Sequence, residues 1–209
     1  MTKTLTLIAA LTATLILPAC TNNGAQNDVD LTNEPATTEE ESNITNYETA
    51  GNLEATNPLG CEPATNVQPT SSAADVAAGA VACTEEDRFD EAAELVLVSS
   101  AYAFYDTQRV ADPSAHGALQ ALFVESFSSL TEEDASQMND SMNVLTPDNP
   151  RHQALCESLI ASGPPTYYPG YMITHGLGAL SVEQESPLIE DFNVEESWTK
   201  ALEFVNCIN

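Results

Sequence analysis

The chain has 209 residues, with 32 acidic residues against 5 lysines plus arginines and a net charge of −27. That balance argues against nucleic acid as a partner, because phosphates are met by lysine and arginine, and against direct docking on anionic lipid headgroups. Hydrophobic residues make up 43% of the chain, enough for one globular core, while the charge keeps the surface solvated and opposes compaction by self-repulsion. Many carboxylates with almost no lysine is the balance expected under high external salt, and equally of a strongly solvated surface.

Lys3 supplies a positive start, and Thr4 to Leu17 is an apolar run. The run is shorter than the ~20 residues a helix needs to span a bilayer, and no stop-transfer charges follow it. Residues 1–19 therefore read as a signal peptide. The run ends in Leu17-Pro18-Ala19-Cys20. This stretch resembles the lipobox of bacterial lipoproteins, with Leu17 at the apolar position, Ala19 at the small position and Cys20 at the modified one. Pro18 departs from the family's preference for a small or β-branched residue. The resemblance covers residues 1–20 only. It implies a diacylglyceryl thioether on Cys20 and an acylated amino terminus, so that the lipid on Cys20 is the contact with the membrane. Thr21 after the cysteine implies sorting to the outer membrane of a two-membrane bacterium, facing the periplasm or the cell surface. Several acyl chains make such an anchor stable, since each buried methylene adds ~0.8 kcal/mol. The alternative is an ordinary cleaved signal that leaves Cys20 a thiol.

From Cys20 to Pro58 the chain is rich in Asn, Thr, Ala and Glu and has no basic residue. Few large apolar residues are available to offset ordering entropy, so 20–58 reads as a disordered acidic tether. Residues 59–83 are Ala-, Pro- and Ser-rich and are bracketed by Cys61 and Cys83. They read as a loop with one short helical turn near Ala73–Ala80.

The helical domain is expected over 84–209. Thr84-Glu85-Glu86-Asp87 resembles a capping box. Phe89, Ala92, Ala93, Val96, Leu97, Ala103 and Phe104 then recur at helical spacing, with Leu95, Val98, Tyr102 and Tyr105 on a second stripe. A helix apolar nearly all round is buried, which makes this the central one. Asp112-Pro113 opens a second helix to about Leu130, with Leu119, Leu122, Phe123 and Phe127 inward. Thr131 caps a third, with Met138, Met142 and Leu145 on one face. Asn149-Pro150 opens a fourth, whose face is His152, Leu155, Cys156, Leu159 and Ile160. Gly163-Pro164-Pro165 stops it. Gly163 to Gly178 is a long Tyr/Gly/Pro-rich loop with a possible short strand at Tyr171–Thr174. Asn193 caps a last helix, with Trp198, Ala201, Leu202 and Val205 inward. The expected fold is thus mainly α, a single small domain of about five helices around a central apolar helix, stapled by disulfides.

Setting Cys20 aside leaves Cys61, Cys83, Cys156 and Cys207, an even number in an exported chain and so two disulfides. Three connectivities exist. Pairing Cys61 with Cys83 holds the bracketed segment against the core, and pairing Cys156 with Cys207 joins two inward-facing helix positions.

No hydrolase elbow, zinc-protease motif, phosphate loop or EF-hand loop is present, so no cofactor or metal is assigned and no catalytic residue is singled out. His116 is placed at the surface. Tyr167, Tyr168, Tyr171 and His175 form the best candidate binding surface, with His152 nearby on a helix face; the blander reading is a lid whose aromatics pack on the core. The functional expectation is a lipid-anchored, exported acidic domain acting by interaction with a protein or envelope partner, or in envelope maintenance. The alternatives are an envelope hydrolase working at the loop 163–178 and a divalent-cation-binding lipoprotein.

Overall fold

The computed structural model describes residues 49–180 and 186–208. The expected signal peptide, Cys20 and the tether as far as residue 48 lie outside the described residues. Among the described residues seven helices form in chain order: α1 Ala73–Glu85, α2 Phe89–Arg109, α3 Ala118–Ser126, α4 Glu132–Val144, α5 Pro150–Ser162, the single turn α6 Gly170–Ile173 and α7 Val194–Phe204. Short 3-10 turns stand at Ala64–Asn66, Pro113–Gly117 and Leu177–Leu180. The described residues hold no strand beyond an isolated antiparallel bridge between Val110 and Leu188.

The centre is α2, as its two apolar stripes require. Ala92, Ala93, Leu95, Val98, Ala101, Tyr102, Ala103 and Tyr105 are all buried. Its most extensive neighbour is α1, and α3, α4, α5 and α7 pack around the same axis. The two expected disulfides are formed: Cys61–Cys83 with Cα atoms 4.6 Å apart, and Cys156–Cys207 with Cα atoms 5.1 Å apart. On the loop-entropy account their separations of 22 and 51 residues correspond to about 3 and about 4 kcal/mol of stabilisation.

The segment 59–83 departs from expectation. Ala73–Glu85 is a full helix of the core, not a loop with one turn. Its start is a complete capping box: the Asp75 amide donates to Ser72 Oγ and the Ser72 amide donates to Asp75 Oδ2. Alanine has the highest helix propensity but too little volume to mark a face, so the sequence shows no apolar stripe. Small side chains instead let α1 lie close against α2, where Ala73, Val76, Ala77 and Ala80 are fully buried.

Thr84 and Glu85 therefore end α1 rather than begin α2, and the helix start expected at Thr84-Glu85-Glu86-Asp87 is corrected. Asp87 takes φ +58° in the turn, and α2 begins after Arg88 without a side-chain cap. The domain also starts earlier than residue 84 or 59. Leu53 is buried and its amide donates to the Tyr171 carbonyl, while the Asn57 amide donates to Asp75 Oδ1 at 2.7 Å. Residues 49–58 thus belong to the domain rather than to a tether.

Three smaller differences follow from local chemistry. The helix expected from Asp112 to Leu130 is a 3-10 turn followed by a shorter α3, because the cap at Asp112 feeds a Pro-Ser-Ala-His-Gly stretch of poor α propensity. The strand expected at Tyr171–Thr174 is the helical turn α6. Met142 and Ile160, expected inward, are exposed, since α4 and α5 each present only one side to α2.

Candidate functional site

The loop after α5 closes over the C-terminal end of α2, and the two meet at Asp106. This carboxylate is fully buried. Its Oδ2 accepts the hydroxyl of Tyr167 at 2.6 Å and that of Tyr171 at 2.8 Å. Its Oδ1 accepts Arg109 Nε at 2.8 Å; Arg109 Nη2 lies 2.7 Å from the same oxygen, in charge contact but off the line of a hydrogen bond. The Arg109 guanidinium is sandwiched by aromatic faces, 5.2 Å from the Tyr105 ring centre and 4.9 Å from that of Tyr167. The Tyr167 oxygen also accepts the Ala73 amide, one of the amides at the start of α1 that has no partner within the helix.

Helix periodicity accounts for this assembly. Tyr102, Tyr105, Asp106 and Arg109 lie three and four positions apart, on the side of α2 that faces the loop and α7. Tyr102 and Tyr105 both pack against Trp198 of α7, at 6.1 Å and 5.9 Å between ring centres. Burial pushes the Asp106 carboxyl above its usual value, and the Arg109 charge and the two tyrosine hydroxyls pull against that push. Tyr167 and Tyr171 are held well above the usual tyrosine value, first by burial and then by the Asp106 charge beside them. Burial alone pushes Tyr102 up to about 12.

Tyr167 and Tyr171 are thus brought together, on a carboxylate that solvent does not reach. Tyr168 points away and is 61% exposed. His175 is half-buried, with Nδ1 2.8 Å from Asn52 Oδ1. His152 is buried on α5, with Nε2 3.0 Å from the Val205 carbonyl oxygen and Nδ1 3.5 Å from Cys156 Sγ. The two histidines are therefore bonded to different parts of the fold, with no shared partner. His116, expected at the surface, is half-buried and sits 2.9 Å from the Val110 carbonyl oxygen. Beyond His175 the loop is tied down by Asp112 and Ser114. Asp112 Oδ2 accepts the Gly178 amide and Ser114 Oγ accepts the Leu177 amide. The Ser114 hydroxyl donates in turn to Asp112 Oδ1, and this bond first, then that from the Gly178 amide, holds the Asp112 carboxyl below its usual value.

Asp106 and Arg109 are the residues that sequence reasoning missed. One signal was available: Asp106 is the first charge after Glu94 on a helix otherwise apolar all round. A charge on such a face is buried with a partner or not buried at all. Chemically the cluster is a clamp rather than an acid–base pair. Both oxygens of Asp106 are occupied by protein donors, and the carboxylate is fully buried.

An apolar concavity lies elsewhere on the domain. A groove of about 450 Å³ runs between α1, α3 and the segment 53–59. Leu53, Leu59, Ala74, Ala78, Val81 and Leu122 line it, and Glu85 and Glu125 stand at its edge. No protein family, no curated protein and no solved structure matches this chain.

Proposed function

We propose that this chain is an exported, lipid-anchored domain that acts by contact in the cell envelope rather than by catalysis. The observation that carries the reading is the state of the Tyr/His loop. Its two inward tyrosines are engaged with Asp106 and its histidine with Asn52, so the residues that an envelope hydrolase would have used hold the fold together. Two formed disulfides support an oxidising, exported setting, in keeping with the lipobox-like start. The apolar groove beside α1 supports a contact role, and its two glutamates together with a net charge of −27 favour a partner segment that is apolar and neutral or basic.

The test is a turnover screen of glycan, peptide and ester substrates with the wild type and His175→Ala. No turnover above background in either protein is the expected result. Turnover in the wild type that His175→Ala abolishes would overturn the reading in favour of a hydrolase working at the loop.

A further inference from the structure

The groove beside α1 is an apolar surface whose two charged lining residues, Glu85 and Glu125, have no cation beside them among the described residues. Its lining on α1 runs from Ala74 to Glu85, about 16 Å or three turns at about 1.5 Å per residue. Ala78 and Ala82 are half-buried, and their small side chains let an occupant come close to the helix. Leu59 and Leu122 supply larger apolar side chains to the same groove.

Charge narrows what can lie there. Glu85 is the last residue of α1 and Glu125 lies in the last turn of α3, and both are exposed. Neither last turn holds a basic residue, so the negative ends of two helix dipoles add to the two carboxylates. Arg88, Arg109, Arg151 and Lys200 are each paired with other acids, and Lys3 stands in the segment read as a cleaved signal. Residues 20–58 contain no basic residue, and a second copy would bring the same net charge of −27. The complement to this edge is therefore a basic group on another molecule.

The walls narrow it further. The backbone bonds of α1 and α3 are closed within those helices, so their apolar faces offer an occupant few donors or acceptors. An extended peptide would leave the wall-facing side of its backbone unsatisfied, whereas a helix satisfies its own. We propose that the groove is the docking site for a helix of another protein: an amphipathic segment of about three turns, apolar on the face that enters and carrying lysine or arginine on the flank that meets Glu85 and Glu125. This assignment rests on the contact reading above and names the partner's chemistry.

The test uses the full-length chain with both disulfides formed. A displayed library of helical peptides, about fifteen residues long and randomised on one face and its flanks, is selected against the wild type. Ala82→Phe, which fills the groove, is the counter-selection, and Ala78→Gln replaces it if its far-ultraviolet signal shows lost helix. Enriched peptides should carry apolar residues at i, i+4 and i+7 and lysine or arginine on one flank. An enriched peptide is then synthesised, with a second in which glutamate replaces its basic residues, and both are titrated at about 0.15 M salt. Glu85→Lys/Glu125→Lys should fold, since cations suit a helix C-terminus. It should bind the basic peptide at least about tenfold more weakly, and the glutamate peptide more tightly, than the wild type does. Glu157→Lys/Glu203→Lys makes the same change of charge at two exposed glutamates outside the groove and should shift affinity about twofold or less. No groove-dependent enrichment, enriched helices without a basic flank, or equal losses in the two charge-reversed proteins would each overturn the proposal. If no helix is selected, palmitate bound by the wild type and refused by Ala82→Phe would assign the groove to an acyl chain. Self-association that Ala82→Phe abolishes would assign it to a second copy. Binding is read without turnover, so these results refute the occupant alone, whereas turnover lost in His175→Ala refutes the contact reading itself.

Discussion

Tyr167 donates its hydroxyl proton to Asp106 at 2.6 Å and accepts the amide of Ala73 at 3.1 Å with the same oxygen. One phenol thus joins the start of α1, the end of α2 and the loop after α5. The tie forms only when all three are in place, so it contributes to cooperativity as well as to stability.

Tyr167→Phe removes a donor from Asp106 and strands the Ala73 amide. The expected loss is about 1–3 kcal/mol, the cost of buried polar groups left unsatisfied. Asp106→Ala leaves Arg109 as an uncompensated charge between two aromatic rings, and about 3–5 kcal/mol should be lost. Tyr168→Phe, an exposed control on the same loop, should stay within about 0.5 kcal/mol of the wild type. Urea unfolding of the singles and of the Tyr167/Asp106 double variant measures all three. Strict additivity in the double variant would show that the two residues do not act as a pair.

Alkaline pH should unfold the domain through its tyrosines. Tyr167 and Tyr171 stand well above the usual value in the folded state, and Tyr102 at about 12. An unfolded tyrosine titrates at about 10. A raised folded value means the stabilisation is complete below about pH 10 and is lost as pH climbs from there toward the folded values. With three such groups the loss reaches about 4 kcal/mol per pH unit above about pH 10.5, which exhausts a typical total of ~5–15 kcal/mol within a few pH units. Phenolate absorbance and far-ultraviolet circular dichroism should therefore change together. Phenolate formation at about pH 10 by every tyrosine with the helices intact would rule the argument out.

The parts of the fold that the sequence made legible are those written in large side chains and caps. The apolar run of α2 marked the centre, and Thr131, Asn149 and Asn193 marked three helix starts that the structure places at those caps. The helix α1 was hidden because alanine builds a helix and a close interface without leaving a periodic signal. Its packing depends on what it lies against, which a local window does not contain. The candidate loop was legible as a place and not as a role. Tyr167 and Tyr171 look alike as binding groups and as clamp donors until Asp106, more than sixty positions earlier, is seen beneath them. Tyr168, between them, shows the opposite fate on the same stretch of chain.

Added salt should raise the melting temperature. The four arginines and lysines of the described residues, Arg88, Arg109, Arg151 and Lys200, are each already paired with an acid, so the remaining carboxylates repel without local relief. Screening shortens the reach of that repulsion from ~30 Å at 0.01 M to ~10 Å at 0.1 M and ~3 Å at 1 M. Most of the gain should thus appear by moderate NaCl. A flat or falling melting curve would mean that self-repulsion does not limit stability.

Anchoring is tested at Cys20. If Leu17-Pro18-Ala19-Cys20 is processed as a lipobox, the protein is labelled by fatty acid and sediments with membranes, and Cys20→Ser abolishes both. Wild-type protein that is unlabelled and freely soluble would replace the lipoprotein reading with an ordinary cleaved signal.

Gly79 supplies a prediction whose sign depends on the first staple. It sits inside α1, where alanine is worth about 1 kcal/mol more than glycine, so propensity alone favours Gly79→Ala. The structure opposes it. A Cβ at this position would lie 3.0 Å from Leu59 Cβ and 3.1 Å from the Gly60 carbonyl oxygen, and it would push on backbone rather than on a flexible tip. That backbone has little room to move. Leu59 donates its amide to the Asp75 carbonyl, and Cys61 is bonded to Cys83 one helical turn further along α1. Overpacking against a pinned neighbour costs about 1–3 kcal/mol, so the net effect of Gly79→Ala should be a loss of up to about 2 kcal/mol. In a Cys61→Ser/Cys83→Ser background the segment can retreat by the few tenths of an ångström required, and the same substitution should become neutral or stabilising. Chemical unfolding of the four proteins closes this cycle. If Gly79→Ala has the same effect with and without the disulfide, the staple does not hold the segment against the helix, and the close approach at Gly79 is maintained by the Leu59 and Asn57 hydrogen bonds alone.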